Sequence, residues 1–254
     1  MRIDEIIYVF LVLLLILIIF LFGAHFYTIR KWSTERELEF SSIDENINSN
    51  AFMNVILEET EDAGWEYINK IYFVGDSTTY HFYKGGIDPS HILVPKSLTL
   101  TLNSDIINIA VGSKDLTISQ AIKDANAEIV IITLGVNGAN NFTENRYKTY
   151  YNKLIDAIKK DSPSTLIIIQ SIFPVTESFD NNSNTGITNE CINKLNMWAK
   201  EIAFEKNCRY LDTQSILKNK NGAQYDYYNV QDGVHMNEKA YEAIIYYIRT
   251  HAIK

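Results

Sequence analysis

The sequence predicts an α/β fold: a three-layer α/β/α sandwich with about five parallel strands, preceded by one N-terminal transmembrane helix. Short runs rich in Val and Ile recur along the chain from about residue 51 onward, and amphipathic stretches with helical spacing separate them. An uninterrupted apolar run lies near the start of the chain. Hydrophobic residues make up 46% of the 254 positions, and only 4 prolines and 11 glycines occur, so a sizeable core is expected.

The apolar run near the N-terminus extends from Ile6 to Gly23 and contains no charged residue. Its length is about that needed to cross the hydrocarbon core of a bilayer. A cleaved signal peptide and a buried core helix are the alternatives. Signal peptides usually have a shorter apolar region followed by a small-x-small cleavage site, whereas bulky residues end this run. We therefore expect residues 1–23 to form a retained membrane anchor.

The charges that flank this run do not fix its orientation. Arg2 precedes it, whereas Arg30, Lys31 and Arg36 follow it. Because long domains are translocated largely regardless of flanking charge, we expect a single-pass protein whose C-terminal part lies outside the cytoplasm. Residues 24–50 are polar and of mixed charge, which is typical of a stalk or of a short membrane-proximal helix.

Residues 51–254 carry the pattern of one folded domain. The five candidate strands are Ile71–Val74, Ile106–Ala110, Glu128–Leu134, Leu166–Gln170 and Arg209–Leu211. The main candidate helices are Thr143–Lys160, Thr188–Lys206 and Asn237–His251. Continuous apolar runs without alternation indicate strands buried on both faces, as in parallel sheets covered by helices. The segment Ile92–Leu102 instead alternates, which indicates an antiparallel hairpin or an extended flap.

The composition disfavours two classes of partner. The formal net charge is −8 and the basic residues are scattered, so nucleic acid is not expected to bind. Cys191 and Cys208 form neither a CxxC pair nor part of a His/Cys cluster, so no metal site and no cofactor are expected. A predicted helix separates these cysteines by more than a disulfide spans, so we expect two separate thiols.

Four polar residues follow the predicted strands or precede the last helix. Ligands of open parallel sheets bind beyond the carboxyl ends of the strands. Ser77 lies on the turn after the first strand, where a helix N-terminus offers N–H groups to an anion; alternatively, it only caps that helix. Asn137 follows the third strand and either directs its amide into the same crevice or serves as a turn residue.

Asp232 and His235 immediately precede the last helix. A carboxylate three residues before a histidine can accept the Nδ1–H of the ring and leave Nε2 free to take a proton. The alternative is an acidic helix start with a surface histidine.

Taken together, these motifs resemble the SGNH/GDSL hydrolase family from about Lys70 to the C-terminus. The resemblance implies a flavodoxin-like fold, with Ser77 as nucleophile, His235 as general base and Asp232 orienting the histidine. It also implies an oxyanion hole formed by the Ser77 N–H, the Gly112 N–H and the Asn137 amide. Gly112 lies one position earlier than the usual family glycine, so Ser113 is an alternative donor, and Gly138 replaces a frequent acidic residue.

The expected function is that of a membrane-anchored serine esterase that forms an acyl-enzyme. Its expected substrate is an O-acyl, chiefly O-acetyl, ester on a cell-envelope carbohydrate. Asp76, which precedes Ser77, is a candidate substrate contact. Tyr227 and Tyr228, which lie just before Asp232, are also candidates, although aromatic residues more often pack in the protein interior. An O-acyltransferase with the same three residues, a lipid-directed esterase and a catalytically idle binding or scaffold protein are the alternatives.

Overall fold

The computed structural model describes residues 54–95, 108–111, 114–182 and 184–253. The expected anchor, residues 1–23, and the expected stalk, residues 24–50, lie outside the described residues. None of the helices in the described part is long and apolar enough to span a bilayer.

The strands in the described ranges belong either to a parallel sheet or to a separate antiparallel pair. They are β1 (Ile71–Gly75), β2 (Ile92–Leu93), β3 (Asn108–Val111), β4 (Lys114–Thr117), β5 (Ile129–Thr133), β6 (Leu166–Gln170) and β7 (Arg209–Leu211). Five of them form one parallel sheet in the order β2-β1-β5-β6-β7, while β3 and β4 form a separate antiparallel pair. The prediction of about five parallel strands is therefore confirmed.

The prediction that Ile106–Ala110 is a strand of the parallel sheet is wrong. In the structure, Asn108–Val111 pairs antiparallel with Lys114–Thr117. Only two residues separate these strands in the sequence, so the nearest partner available to Asn108–Val111 is the strand that follows it. The sheet position beside β1 is filled by Ile92–Leu93, which runs parallel to β1. This part of the Ile92–Leu102 segment is therefore not antiparallel, and residues 96–102 lie outside the described residues.

The predicted helices are present within about two residues of their expected ends. The helices in the described ranges are α1 (Gly64–Ile68), α2 (Ser77–Tyr80), α3 (Ile118–Asp124), α4 (Glu144–Asp161), α5 (Glu177–Asn182), α6 (Asn189–Glu205), α7 (Gln214–Leu217) and α8 (Glu238–Arg249). Thr143, Thr188 and Asn237 cap α4, α6 and α8 by accepting hydrogen bonds from main-chain N–H groups of the first turn. Cys191 within α6 and Cys208 beyond it are separate thiols, as predicted.

Both faces of the parallel sheet are buried. In β5, Val130 and Ile132 contribute to one core cluster together with α3, α4 and α6. Ile129 and Ile131 contribute to a second cluster that includes the apolar face of α8. This explains the continuous apolar runs of the sequence, because successive side chains point to opposite faces and both faces are covered. The three layers are thus helices, sheet and helices.

The first described residues continue the sheet beyond β7. Ile56 lies opposite Tyr210 in a parallel bridge. The Leu57 N–H donates to the Tyr210 carbonyl, and the Tyr210 N–H donates to the Val55 carbonyl, each at 2.8 Å. The chain therefore enters this domain along the side of the sheet formed by β7.

Candidate active site

The turn between β1 and α2 holds Ser77 at the first position of a helix. Gly75 ends β1 in close contact with its surroundings: a Cβ there would lie 1.9 Å from the Thr79 Oγ1 and 2.6 Å from the Thr133 carbonyl oxygen. The helix cap is Asp76, whose Oδ1 accepts from the Thr78 N–H at 3.0 Å and from the Thr78 hydroxyl at 2.8 Å. Ser77 is therefore not the capping residue, and its hydroxyl makes a different contact.

Ser77, His235 and Asp232 form a continuous line of hydrogen bonds. The Oγ of Ser77 lies 2.9 Å from Nε2 of His235, and Nδ1 of the same ring lies 2.6 Å from Oδ2 of Asp232. An Nδ1–H that donates to the carboxylate leaves Nε2 as the acceptor of the serine hydroxyl proton. The structure thus brings together three residues that are separated by up to 158 positions in the sequence.

Asp232 remains ionised in this arrangement. Partial burial acts to raise the pKa of Asp232, but hydrogen bonds from the Val234 and His235 N–H groups and from the imidazole outweigh burial and lower it. Both N–H groups donate to Oδ1, at 2.9 and 2.8 Å. The carboxylate therefore retains a negative charge beside the ring.

The side chain of Asn229 holds the loop that carries Asp232 and His235 through hydrogen bonds. Its Oδ1 accepts from the Gly233 N–H at 2.9 Å, and its Nδ2 donates to the His235 carbonyl at 2.9 Å. The same Nδ2 donates to Oε1 of Gln224 at 2.7 Å, and Gln224 is fully buried. Neither end of the loop can shift without breaking one of these bonds.

Gly233 gives this loop its shape. Its φ is +84°, a left-handed conformation that favours glycine, and a Cβ at this position would lie 2.5 Å from the Cβ of Phe179. Its carbonyl accepts from the Thr176 N–H at 2.9 Å. The loop therefore lies directly against the start of α5.

Asn137 lies beside the Ser77 turn. It follows β5, and its Nδ2 donates to Oδ2 of Asp76 at 3.1 Å. Because an amide has two N–H bonds, this contact holds the side chain while the second N–H is available to a ligand. Gly112 and Ser113, the expected further oxyanion donors, lie outside the described residues.

The described position of Asp76 does not favour a direct substrate contact. Its side chain is 1% exposed, and both carboxylate oxygens bind groups of the protein. Burial raises its pKa to about 6, against the opposing effects of the Thr78 hydrogen bonds and the nearby His235 charge. Its role in substrate binding stays a prediction.

Tyr227 and Tyr228 form an aromatic cluster with Tyr225. The Tyr227 and Tyr228 ring centroids are 4.4 Å apart, and Tyr227 is 59% exposed. The Tyr227 carbonyl accepts from Nδ2 of Asn237, the residue that caps α8. The cluster therefore adjoins the loop that leads to His235, and its substrate role stays a prediction.

His81 lies at the site, although it is not among the residues predicted from the sequence. Its ring packs edge-on against His235, with centroids 5.6 Å apart and planes at 88°. Burial, followed by the positive charge of Lys84, lowers the pKa of His81 and favours its neutral form. Its position four residues after Ser77, on a helical turn, is the sequence signal that would have indicated it.

Within the described ranges, no group of three or more His, Cys, Asp or Glu side chains is arranged to hold a metal ion. The chemistry visible at this edge of the sheet is that of a hydroxyl, an imidazole, a carboxylate and an amide.

Comparisons with known proteins identify a family for this chain. The model of the GDSL-like Lipase/Acylhydrolase family matches residues 73–243, a span from β1 into α8 that includes Ser77, Asn137, Asp232 and His235. A search of curated protein sequences gives no match.

Solved structures share the fold. One is a Streptococcus pneumonia protein proposed to be a platelet activating factor, with 17% identity and a TM-score of 0.51 over 80% of this chain and 97% of that one. Another is a GDSL-like lipase from Bacteroides thetaiotaomicron, with 14% identity and a TM-score of 0.51 over 70% of this chain and 85% of that one. The chain belongs to the GDSL-like lipase/acylhydrolase family, and it is an enzyme of the esterase type of hydrolase.

Proposed function

We propose that this enzyme hydrolyses carboxylic esters with Ser77 as nucleophile, His235 as general base and Asp232 as the residue that orients the histidine. The observation that carries the proposal is the pair of contacts at His235: 2.9 Å from Nε2 to the Ser77 hydroxyl and 2.6 Å from Nδ1 to Asp232. A hydroxyl that is hydrogen-bonded to an oriented imidazole is the activated nucleophile of acyl transfer.

The reaction proceeds in two halves. In the first, Nε2 of His235 takes the proton of Ser77 while Oγ bonds to the ester carbonyl carbon, and the carbonyl π electrons move to oxygen. The tetrahedral intermediate then expels the alcohol, which receives the proton from His235, and an acyl-Ser77 ester remains. In the second half, water attacks this ester with His235 again as base, and the free acid and Ser77 are released.

The oxyanion is stabilised at the N-terminal end of α2. The Ser77 N–H and the second N–H of the Asn137 amide are the donors we assign among the described residues. Gly112 or Ser113 is the further donor that the family resemblance implies. Loss of one such donor typically costs about 10²–10³ in kcat.

We further propose that the substrate is an O-acetyl ester on a cell-envelope carbohydrate, and that the domain is anchored by residues 1–23 and faces away from the cytoplasm. The apolar run Ile6–Gly23 and the polar segment 24–50 support this placement. Protease treatment of intact cells is the test: extracytoplasmic domains are digested, whereas a domain inside the cytoplasm is protected.

The experiment that tests the catalytic proposal is covalent labelling of the full chain, purified in detergent, with a fluorophosphonate probe. The expected result is labelling that is lost in Ser77→Ala and strongly slowed in Asn137→Ala. Absence of labelling in the folded parent protein would sink the proposal. Labelling that persists in Ser77→Ala would identify a different nucleophile.

The same preparation separates hydrolysis from transfer. With an acetyl ester substrate and an added oligosaccharide, a hydrolase releases free acetate at an unchanged rate. An acetylated oligosaccharide formed in place of acetate would instead indicate an O-acyltransferase.

A further inference from the structure

A cavity of about 440 Å³ lies beside the loop that carries Asp232 and His235. It is bounded by α5 on one side and by residues 226–233 on the other. The residues that line it are Thr176, Ser178, Phe179, Asn182, Asp226, Asn229, Gln231, Asp232 and Gly233. Its volume falls within the range of small-molecule sites. Asp232 is the link to the reaction, because it lines the cavity and also binds His235 through Oδ2.

The lining has a definite charge. Asp226 and Asp232 are carboxylates, and no Lys, Arg or His side chain is among the residues that line the cavity. Such a field disfavours phosphates, uronic acids and other anions, and it favours neutral or positively charged ligands. The remaining lining groups are mostly hydroxyls and amides, with the Phe179 ring as an apolar wall.

Some of these polar groups are already engaged in holding the loop. Asn229 makes the three hydrogen bonds described above, and the Thr176 hydroxyl accepts from the Phe179 N–H at 3.3 Å. Across the described ranges, by contrast, no side-chain hydrogen bond is present at Ser178, Asp226 or Gln231. These three side chains are exposed to the cavity and are free to bind a ligand.

Gln231 is held in an unfavourable backbone conformation at the cavity wall. Its φ is +77°, a left-handed value that costs a residue with a Cβ on the order of 1 kcal/mol. Such strain clusters at sites of ligand binding, where the surrounding structure imposes it. The strained residue here presents an amide, which can both donate to and accept from hydroxyl groups.

We infer that this cavity is a subsite for a neutral or amino sugar unit of the glycan that carries the ester. Sugar hydroxyls would donate to Asp226 and exchange hydrogen bonds with Gln231 and Ser178, while a C–H face would pack on Phe179. This inference rests on the proposed function, because it assigns a glycan to the ester hydrolysed at Ser77. Binding of a remote sugar unit would contribute to transition-state stabilisation at Ser77.

Two substitutions in the full chain test the subsite, namely Gln231→Ala and Asp226→Asn. Each variant is assayed with p-nitrophenyl acetate, which carries no sugar unit, and with acetylated neutral oligosaccharides. The expected result is about a tenfold fall in kcat/KM for the oligosaccharide ester, because each substitution removes one hydrogen bond between a charged or amide group and the sugar. Hydrolysis of p-nitrophenyl acetate should stay within about twofold of the parent.

Glu242→Gln is the matched control, because it removes an exposed carboxylate on α8 away from the cavity. Equal effects of Asp226→Asn on both substrates, or no effect on the oligosaccharide ester, would overturn the subsite.

Binding without chemistry separates this inference from the proposed reaction. In a Ser77→Ala background, calorimetry with β-1,4-linked N-acetylglucosamine and xylose tetrasaccharides should detect binding that Gln231→Ala weakens, whereas an oligogalacturonate should not bind. An enzyme that is labelled by fluorophosphonate yet binds neither neutral glycan refutes the subsite alone. A protein that binds glycan but is never labelled refutes the proposed reaction alone.

Discussion

The phenol of Tyr241 donates a 2.6 Å hydrogen bond to the main-chain carbonyl of Thr78. Tyr241 lies on α8, which begins directly after the Asp232–His235 loop, and Thr78 is the neighbour of Ser77 on α2. The tyrosine ring is fully buried. This bond therefore joins the two segments that supply Ser77 and His235.

Tyr241→Phe should lower both stability and the rate of fluorophosphonate labelling. The change leaves a buried carbonyl without its donor, which costs about 1–3 kcal/mol in the free energy of unfolding. Labelling should slow severalfold because the Ser77 turn is no longer held against α8. Urea denaturation and labelling kinetics are the measurements. Tyr246→Phe is the control, since this tyrosine of the same helix is 59% exposed; equal behaviour of the two variants would contradict the prediction.

Asn229→Asp should impair the reaction while the protein stays folded. The aspartate keeps an acceptor for the Gly233 N–H but places a second oxygen against the His235 carbonyl and Gln224 Oε1. Displacement of the loop should reduce kcat about 10- to 100-fold with KM little changed, as expected for geometry lost in the transition state.

Asn221→Asp is the matched control for this change. Its Nδ2 donates to Glu177 on the protein surface. Asn221→Asp therefore also brings two acceptor oxygens together, but at a position that is exposed to water. A comparable loss of kcat in both variants would refute the positioning role of Asn229.

Gly233→Ala and Gly222→Ala separate backbone strain from steric overlap. Both glycines have φ near +80°, but a Cβ at Gly222 would meet nothing within 4 Å, whereas one at Gly233 would overlap Phe179. Gly222→Ala should cost about 1–2 kcal/mol from conformation alone. Gly233→Ala should cost more and should also reduce esterase activity. Thermal unfolding and ester hydrolysis test this, and identical losses in both measurements would count against it.

The stability of the enzyme should depend on the ionisation of Asp76. Its pKa is about 6 in the folded protein against a reference value of 3.8, so the folded state binds more protons between these values. The stabilisation from this group is complete below about pH 4 and is lost as pH rises through about 6. The parent should lose on the order of 3 kcal/mol relative to Asp76→Asn across this window. A constant difference in unfolding free energy from pH 4 to 7 would show that Asp76 is not shifted.

The central strands could be predicted from the sequence because burial on both faces requires a continuous apolar run, which is visible within a few residues. β1, β5 and β6 are continuous apolar runs of about five residues that both helical layers cover. Ile106–Ala110 has the same appearance, but the strand Asn108–Val111 pairs with residues only three to nine positions further along the chain. Ile92–Leu93 is too short to give any periodic signal, so its place at the edge of the parallel sheet depends on tertiary contacts alone.

The candidate site was predictable where order along the chain carries information. Ser77, Asn137, Asp232 and His235 each follow a strand or precede the last helix. The structure joins Ser77, His235 and Asp232 by hydrogen bonds and places Asn137 beside the Ser77 turn. The contacts of Asn229 and Gln224, and of Tyr241 with Thr78, bring together distant residues of ordinary types. No spacing in the sequence distinguishes such residues from surface amides and core tyrosines, so their participation emerges only from the packed structure.

The pairing of Val55–Leu57 with β7 has a consequence for the handling of the protein. It occupies main-chain donors and acceptors that would otherwise form an open template for another polypeptide. Proteolysis after Leu57, or an expression boundary set at the first helix, would uncover that template. Preparations trimmed in this way should self-associate through β7, whereas those that begin before Val55 should remain dispersed.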